Sequence, residues 1–65
     1  MTTLSEISKE LRKIRGWSQK KLADVIGTTQ TEISFLERGF IPVDSEKVYR
    51  LKKEYENAKF REHLI

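Results

Sequence analysis

Apolar residues in the first quarter of the chain recur at steps of three and four. Leu4, Ile7, Leu11 and Ile14 make one stripe of an amphipathic helix, predicted over 4–15. Thr3 and Glu6 frame its start with the spacing of a capping box, in which each side chain satisfies a backbone N–H of the first turn. Lys13 and Arg15 lie toward its C-terminus, where the helix dipole favours positive charge, and Gly16 stops it. Ser18 is the N-cap of a short second helix over 19–26, with Leu22, Ala23 and Ile26 facing inward. After Gly27, Thr28 and Thr29 offer the next cap, and a third helix is predicted over 30–38 with Ile33 and Leu36 buried. Gly39 ends it. Pro42 excludes helix from the stretch Phe40 to Val43, and Asp44 or Ser45 caps a fourth helix over 45–64. Val48, Leu51, Tyr55 and Ala58 keep one face of that helix apolar, and it is expected to fray after Asn57.

No segment shows the alternation of a strand, so the expected fold is all-α: a compact domain of four helices, or five were the last to divide. The three glycines are almost evenly spaced, yet the sequences between them are unlike, which makes them punctuation and not a repeat. The expected core is Ile7, Leu11, Ile14, Trp17, Leu22, Ala23, Ile26, Ile33, Leu36, Val48 and Leu51.

Length permits one domain, 1–65, because a chain of 65 residues cannot divide a core in two. A net charge of +3 suits a nucleic-acid partner, but thirteen basic residues interleaved with ten acidic ones also describe an ordinary solvated surface. Both readings stay open, and the Lys20-Lys21 and Lys52-Lys53 pairs read first as solvated faces. No cysteine is present, so disulfides and thiolate metal sites are excluded. No apolar run approaches the roughly 18 residues of a membrane span, and the polar start lacks the layout of a signal peptide, which gives a cytoplasmic expectation. Catalysis has little to work with: the one histidine, His63, has only Glu62 beside it, so neither an enzyme, a metal site nor a cofactor is expected.

Two short helices about a glycine turn, the second capped by threonine, are the ingredients of a helix-turn-helix. The spacing of Gln19, Leu22, Ala23, Ile26, Gly27, Thr28, Ile33 and Leu36 sharpens this: alanine sits where the helices touch, and isoleucine and leucine lock the second one. Gly16-Trp17-Ser18-Gln19 through Ala23, then Gly27-Thr28-Thr29-Gln30, Ile33 and Glu37-Arg38-Gly39, resembles the Cro/repressor (XRE-like) helix-turn-helix family of temperate phages, with a lambda-repressor-like fold, over Leu4 to Leu51. The resemblance implies that Gln19 contacts a phosphate and braces the recognition helix, with Lys20, Lys21 and Thr28 as further phosphate contacts. It places Gln30 and Thr31 at base edges, with Ser34 and Phe35 following. Glutamine suits adenine, and a threonine methyl can meet that of thymine. Arg12 and Glu37 match a family pair that forms a partly buried salt bridge. The plainer alternatives are a polar first-turn residue at Gln19 and a solvated ion pair.

Departures from the family cluster on the would-be DNA face. Phe35 stands where a polar base reader is frequent, Glu32 adds negative charge, and the next loop is apolar and acidic instead of basic. Glu32, Phe35, Phe40, Ile41, Val43 and Asp44 therefore form an expected partner surface. The resulting expectation is a small regulator of a lysis–lysogeny-type switch in a bacterial host cell. It would act on double-stranded operator DNA, on a cognate phage repressor as an antirepressor or modulator, or on both, with a weak homodimer allowed. A structural helical module is the third class.

Overall fold

Local sequence explains where each helix begins. Thr3 Oγ1 accepts the Glu6 N–H at 3.2 Å, and Ser18 Oγ accepts the Lys21 N–H at 3.1 Å. Asp44 Oδ1 accepts the Lys47 N–H at 3.0 Å, so aspartate is the cap of the last helix. A complete capping box forms at Thr29, whose hydroxyl takes the Glu32 N–H while the Glu32 carboxylate takes the Thr29 N–H. The helices so started are α1, Leu4–Arg15; α2, Gln19–Ile26; α3, Gln30–Glu37; and α4, Ser45–Leu64. The computed structural model describes residues 3–40 and 44–64, with side chains through Phe60. Ile41, Pro42 and Val43 lie outside the described residues, as does the His63 side chain. Among the described residues there are four helices and no strand, as the all-α expectation required.

α3 ends one residue before the expected Arg38, which leaves the helix at φ −93°, ψ 4° with its N–H folded back to the Ser34 and Phe35 carbonyls. The turn between α2 and α3 depends on Gly27. Its φ of +81° is a conformation that side chains disfavour, and an added Cβ would stand 3.1 Å from Arg50 Nη1 on α4.

α1 lies along α4, and α3 packs on both α2 and α1; the contact of α2 with α4 is the thinnest of the four. Between them lies a core of Ile7, Leu11, Leu22, Ala23, Ile26, Ile33, Leu36, Leu51 and Ala58. Ile14, Trp17 and Val48 sit at its edge, half-buried, where sequence periodicity placed them inside. Ser8 is fully buried among these apolar residues.

Helix α4 does not fray after Asn57 but continues to Leu64. Ala58 is only 2% exposed, which fixes that turn against the core. The Tyr55 hydroxyl donates to Glu10 Oε2 at 2.7 Å and accepts from Lys59 Nζ at 3.2 Å, and Lys59 pairs with Glu10 at 3.8 Å. These contacts latch the second half of α4 onto α1.

Candidate functional site

Glu37, the last residue of α3, has 5% of its side chain exposed and is the point on which three helices converge. Arg12 of α1 meets it with two donors: Nε to Oε2 at 2.9 Å and Nη2 to Oε1 at 2.8 Å, the fork geometry in which guanidinium and carboxylate match. Ser8 Oγ donates to Oε2 at 2.6 Å, and Gln19 Nε2, from the first turn of α2, donates to Oε1 at 3.1 Å. Ser5 Oγ takes up the Glu37 backbone carbonyl at 2.7 Å. Burial pushes the Glu37 carboxyl up, but the hydrogen bonds from Arg12, Ser8 and Gln19, with the charge of Arg12, outweigh it and hold the group below the usual carboxylate range. The bond to Glu37 raises Arg12 in turn. The effect is to fix the angle between α3, α1 and the start of α2.

With its inner side held this way, α3 turns Gln30, Thr31, Phe35 and Arg38 outward, and Ser34 is half-buried beside them. Lys20 and Lys21 are exposed on the first turn of α2. The Thr28 hydroxyl donates to Glu32 Oε1. That bond, against desolvation and with help from the Thr29 N–H, Lys47 and the Thr29 hydroxyl, keeps the Glu32 carboxyl below its ordinary value. Glu32 is thus turned back onto the helix N-terminus, where a carboxylate is favoured by the dipole. At the other end, Phe35 is 39% and Phe40 62% exposed, packed edge to face with centroids 6.2 Å apart at 88°.

An exposed polar face on a short helix, braced from behind and entered through a glycine turn from another short helix, is the geometry of a recognition helix. The helix-turn-helix family model matches residues 9–57, three quarters of the chain and all of α2 and α3. The chain belongs to the XRE-type helix-turn-helix family. That family is one of DNA-binding transcription regulators and not of enzymes. Comparison with curated proteins and with solved structures gave no match.

Within this helix-turn-helix domain, Arg12, Glu37 and Gln19 stand together, with Gln19 giving one amide N–H to Glu37. Gln30, Thr31, Ser34 and Phe35 share one face of α3, with Phe40 at its end. Asp44 is the α4 cap and pairs with Lys47 at 3.9 Å, and Ile41 and Val43 are outside the described residues. Sequence reasoning missed Ser8, whose only signal is a hydroxyl one turn before Arg12 on the same face. It also missed Arg38, a cation three and four residues beyond Phe35 and Ser34. Among the described residues no group of acidic, histidine or cysteine side chains could hold a metal ion. None of the described helices is long and apolar enough to cross a membrane.

Proposed function

We propose that this chain is a sequence-specific transcriptional regulator that lays α3 in the major groove of double-stranded DNA. Gln30 and Thr31, with Ser34 and Phe35, read base edges, while Lys20, Lys21 and the Gln19 amide N–H not given to Glu37 hold phosphates, and Thr28 joins them when its hydroxyl turns from Glu32 to a phosphate. The observation that carries this reading is the locked, outward face of α3: Glu37 fixes the helix through Arg12, Ser8 and Gln19, so the exposed residues are set before any ligand arrives. Preset donors lose less freedom on binding. From the resemblance to the Cro/repressor regulators we further infer a phage-type lysis–lysogeny switch as the setting, with the cytoplasm of a bacterial host as the place of action.

Salt tests this. Binding to a fluorescent duplex recovered by selection from a random pool, and to random duplex, should weaken with rising salt by about 0.9 log unit per log unit for each phosphate neutralised. The selected duplex should be preferred by roughly a thousandfold or more. Lys20→Ala should lower the slope by about one contact and weaken both duplexes alike. No binding at low salt would end the DNA reading.

A second reading, capture of a cognate phage repressor as an antirepressor or modulator, has its support in the exposure of Phe35 and Phe40, aromatic anchors of the kind that dominate protein interfaces. Its electrostatic half is weak. Glu32 and Asp44, the acids that would mimic phosphate, are bound into the N-termini of α3 and α4. A weak homodimer belongs to the same protein-binding reading. Both would be read by light scattering of the chain alone and mixed with that repressor.

A further inference from the structure

Gln30, Ser34 and Arg38 follow one another at steps of four along α3 and its cap, with Thr31 and Phe35 beside them, so all five share one face. Arg38 does not reach away from the helix end. Its guanidinium folds back over the preceding turn, 5.0 Å from the centre of the Phe35 ring, with Nη2 donating to Ser34 Oγ at 3.2 Å. This is the direction in which helical side chains lean. Phe40 packs against the same Phe35 ring and steadies the platform.

The bond to Ser34 uses one of five guanidinium N–H donors. No carboxylate among the described residues pairs with the rest: Glu37, next in the chain, is turned inward onto Arg12, and Glu32 is bound at the start of α3. Arg38 is therefore an exposed, unneutralised fork held above the middle of the recognition helix. α3 has eight residues, so it is about 12 Å long and Arg38 stands at its far end from Gln30. A cation stretched outward from its last turn would meet the phosphate wall. One laid back along the helix is kept on the face that carries Gln30, Thr31, Ser34 and Phe35.

We propose that Arg38 is a base-reading residue that selects guanine, its fork donating to O6 and N7, with Phe35 as the surface that holds it in place. This rests on the reading of α3 as a DNA-binding helix. The arginine is suited to the task because stacking and the Ser34 bond restrict it before binding, and because two parallel bonds to O6 and N7 have no equivalent on the other bases.

The test begins with the duplex that wild-type protein selects from a random pool. Each guanine of it is replaced in turn by 7-deazaguanine, which lacks the N7 acceptor, and affinities are measured by fluorescence anisotropy. At one guanine the wild type should lose about fivefold, as expected for part of a bidentate contact. Arg38→Lys keeps the charge and loses the fork. It should bind random DNA as the wild type does, with the same salt slope, yet bind the selected duplex about tenfold more weakly and be indifferent to 7-deazaguanine at that position. If no guanine substitution separates the two proteins, or if Arg38→Ala weakens all sequences alike while Arg38→Lys matches wild type, Arg38 is a phosphate contact and the proposal is wrong. Such a result leaves α3 as the DNA-binding helix. Failure of the wild type to select any duplex removes that reading and this one together.

Discussion

With 26% of its side chain exposed, Arg12 keeps some contact with water, whereas Glu37 at 5% keeps almost none, so the two ends of this ion pair respond differently to loss of the other. Arg12→Ala leaves a buried carboxylate with Ser8 and Gln19 as its remaining donors and should cost about 3 kcal/mol, the low end for a broken buried pair. Glu37→Gln should show itself in pH dependence. The folded Glu37 carboxyl lies below the usual range, so between that folded value and about pH 4.3 the unfolded chain binds more protons. Its contribution is complete above this window and is lost as the pH falls through it. Urea unfolding followed by Trp17 fluorescence should therefore give a wild-type stability that drops more steeply below about pH 4.3 than that of Glu37→Gln. Parallel curves would mean that Glu37 titrates alike in both states. Of this cluster, the sequence offers the Arg12 and Glu37 positions through the family pattern. Ser8 is invisible, because a serine between Ile7 and Leu11 looks like any small residue until α3 brings a carboxylate to it across 29 positions.

At the scale of elements, α2 puts a residue without bulk into the core just before the turn to α3. Ala23 is 1% exposed, and its carbonyl accepts both the Gly27 and the Thr28 N–H, at 2.9 and 2.8 Å. A larger side chain there has to force α3 outward, and α3 is tied to α1 through Glu37, so relief is small. Ala23→Phe should lower stability by about 1 to 3 kcal/mol in thermal unfolding; an unchanged midpoint would mean that the two helices do not meet there. The apolar stripes make these elements legible: the same three- and four-residue spacing that predicts each helix fills the core with Leu11, Leu22, Ile26, Ile33, Leu36 and Leu51. Spacing is less informative at the margins. It treats Ile14, Trp17 and Val48 as interior because it knows the face and not how far the neighbouring helix extends. It also misses the persistence of α4, since the bond from Tyr55 to Glu10 spans 45 positions and leaves no local trace.

For the whole molecule, the packing of the helices divides the labour. α2 and α3 carry the proposed DNA-reading face and are joined to α1 by the Glu37 cluster, whereas α4 lies chiefly on α1 and meets α2 only narrowly. The end of α4 is held by Ala58 and by the Glu10, Tyr55 and Lys59 cluster on the far part of α1. A 65-residue chain buries only about 60% of its unfolded surface, so a latch of this kind is a noticeable share of what keeps the helix down. Tyr55→Phe keeps the ring on the core edge and removes the hydroxyl that bridges Glu10 and Lys59. The loss should be about 0.5 to 1.5 kcal/mol, as for one hydrogen bond in a partly solvated site. Because this cluster ties the second half of α4 to α1, the loss should be local: amide hydrogen exchange should quicken from about Glu54 onward, while the amides of α2 and α3 exchange as before. Affinity for a selected duplex and its salt dependence should also be unchanged, since the Glu37 cluster does not involve α4. Faster exchange in α3, or a weaker duplex complex, would show instead that α4 supports the reading face and that the two halves do not act separately.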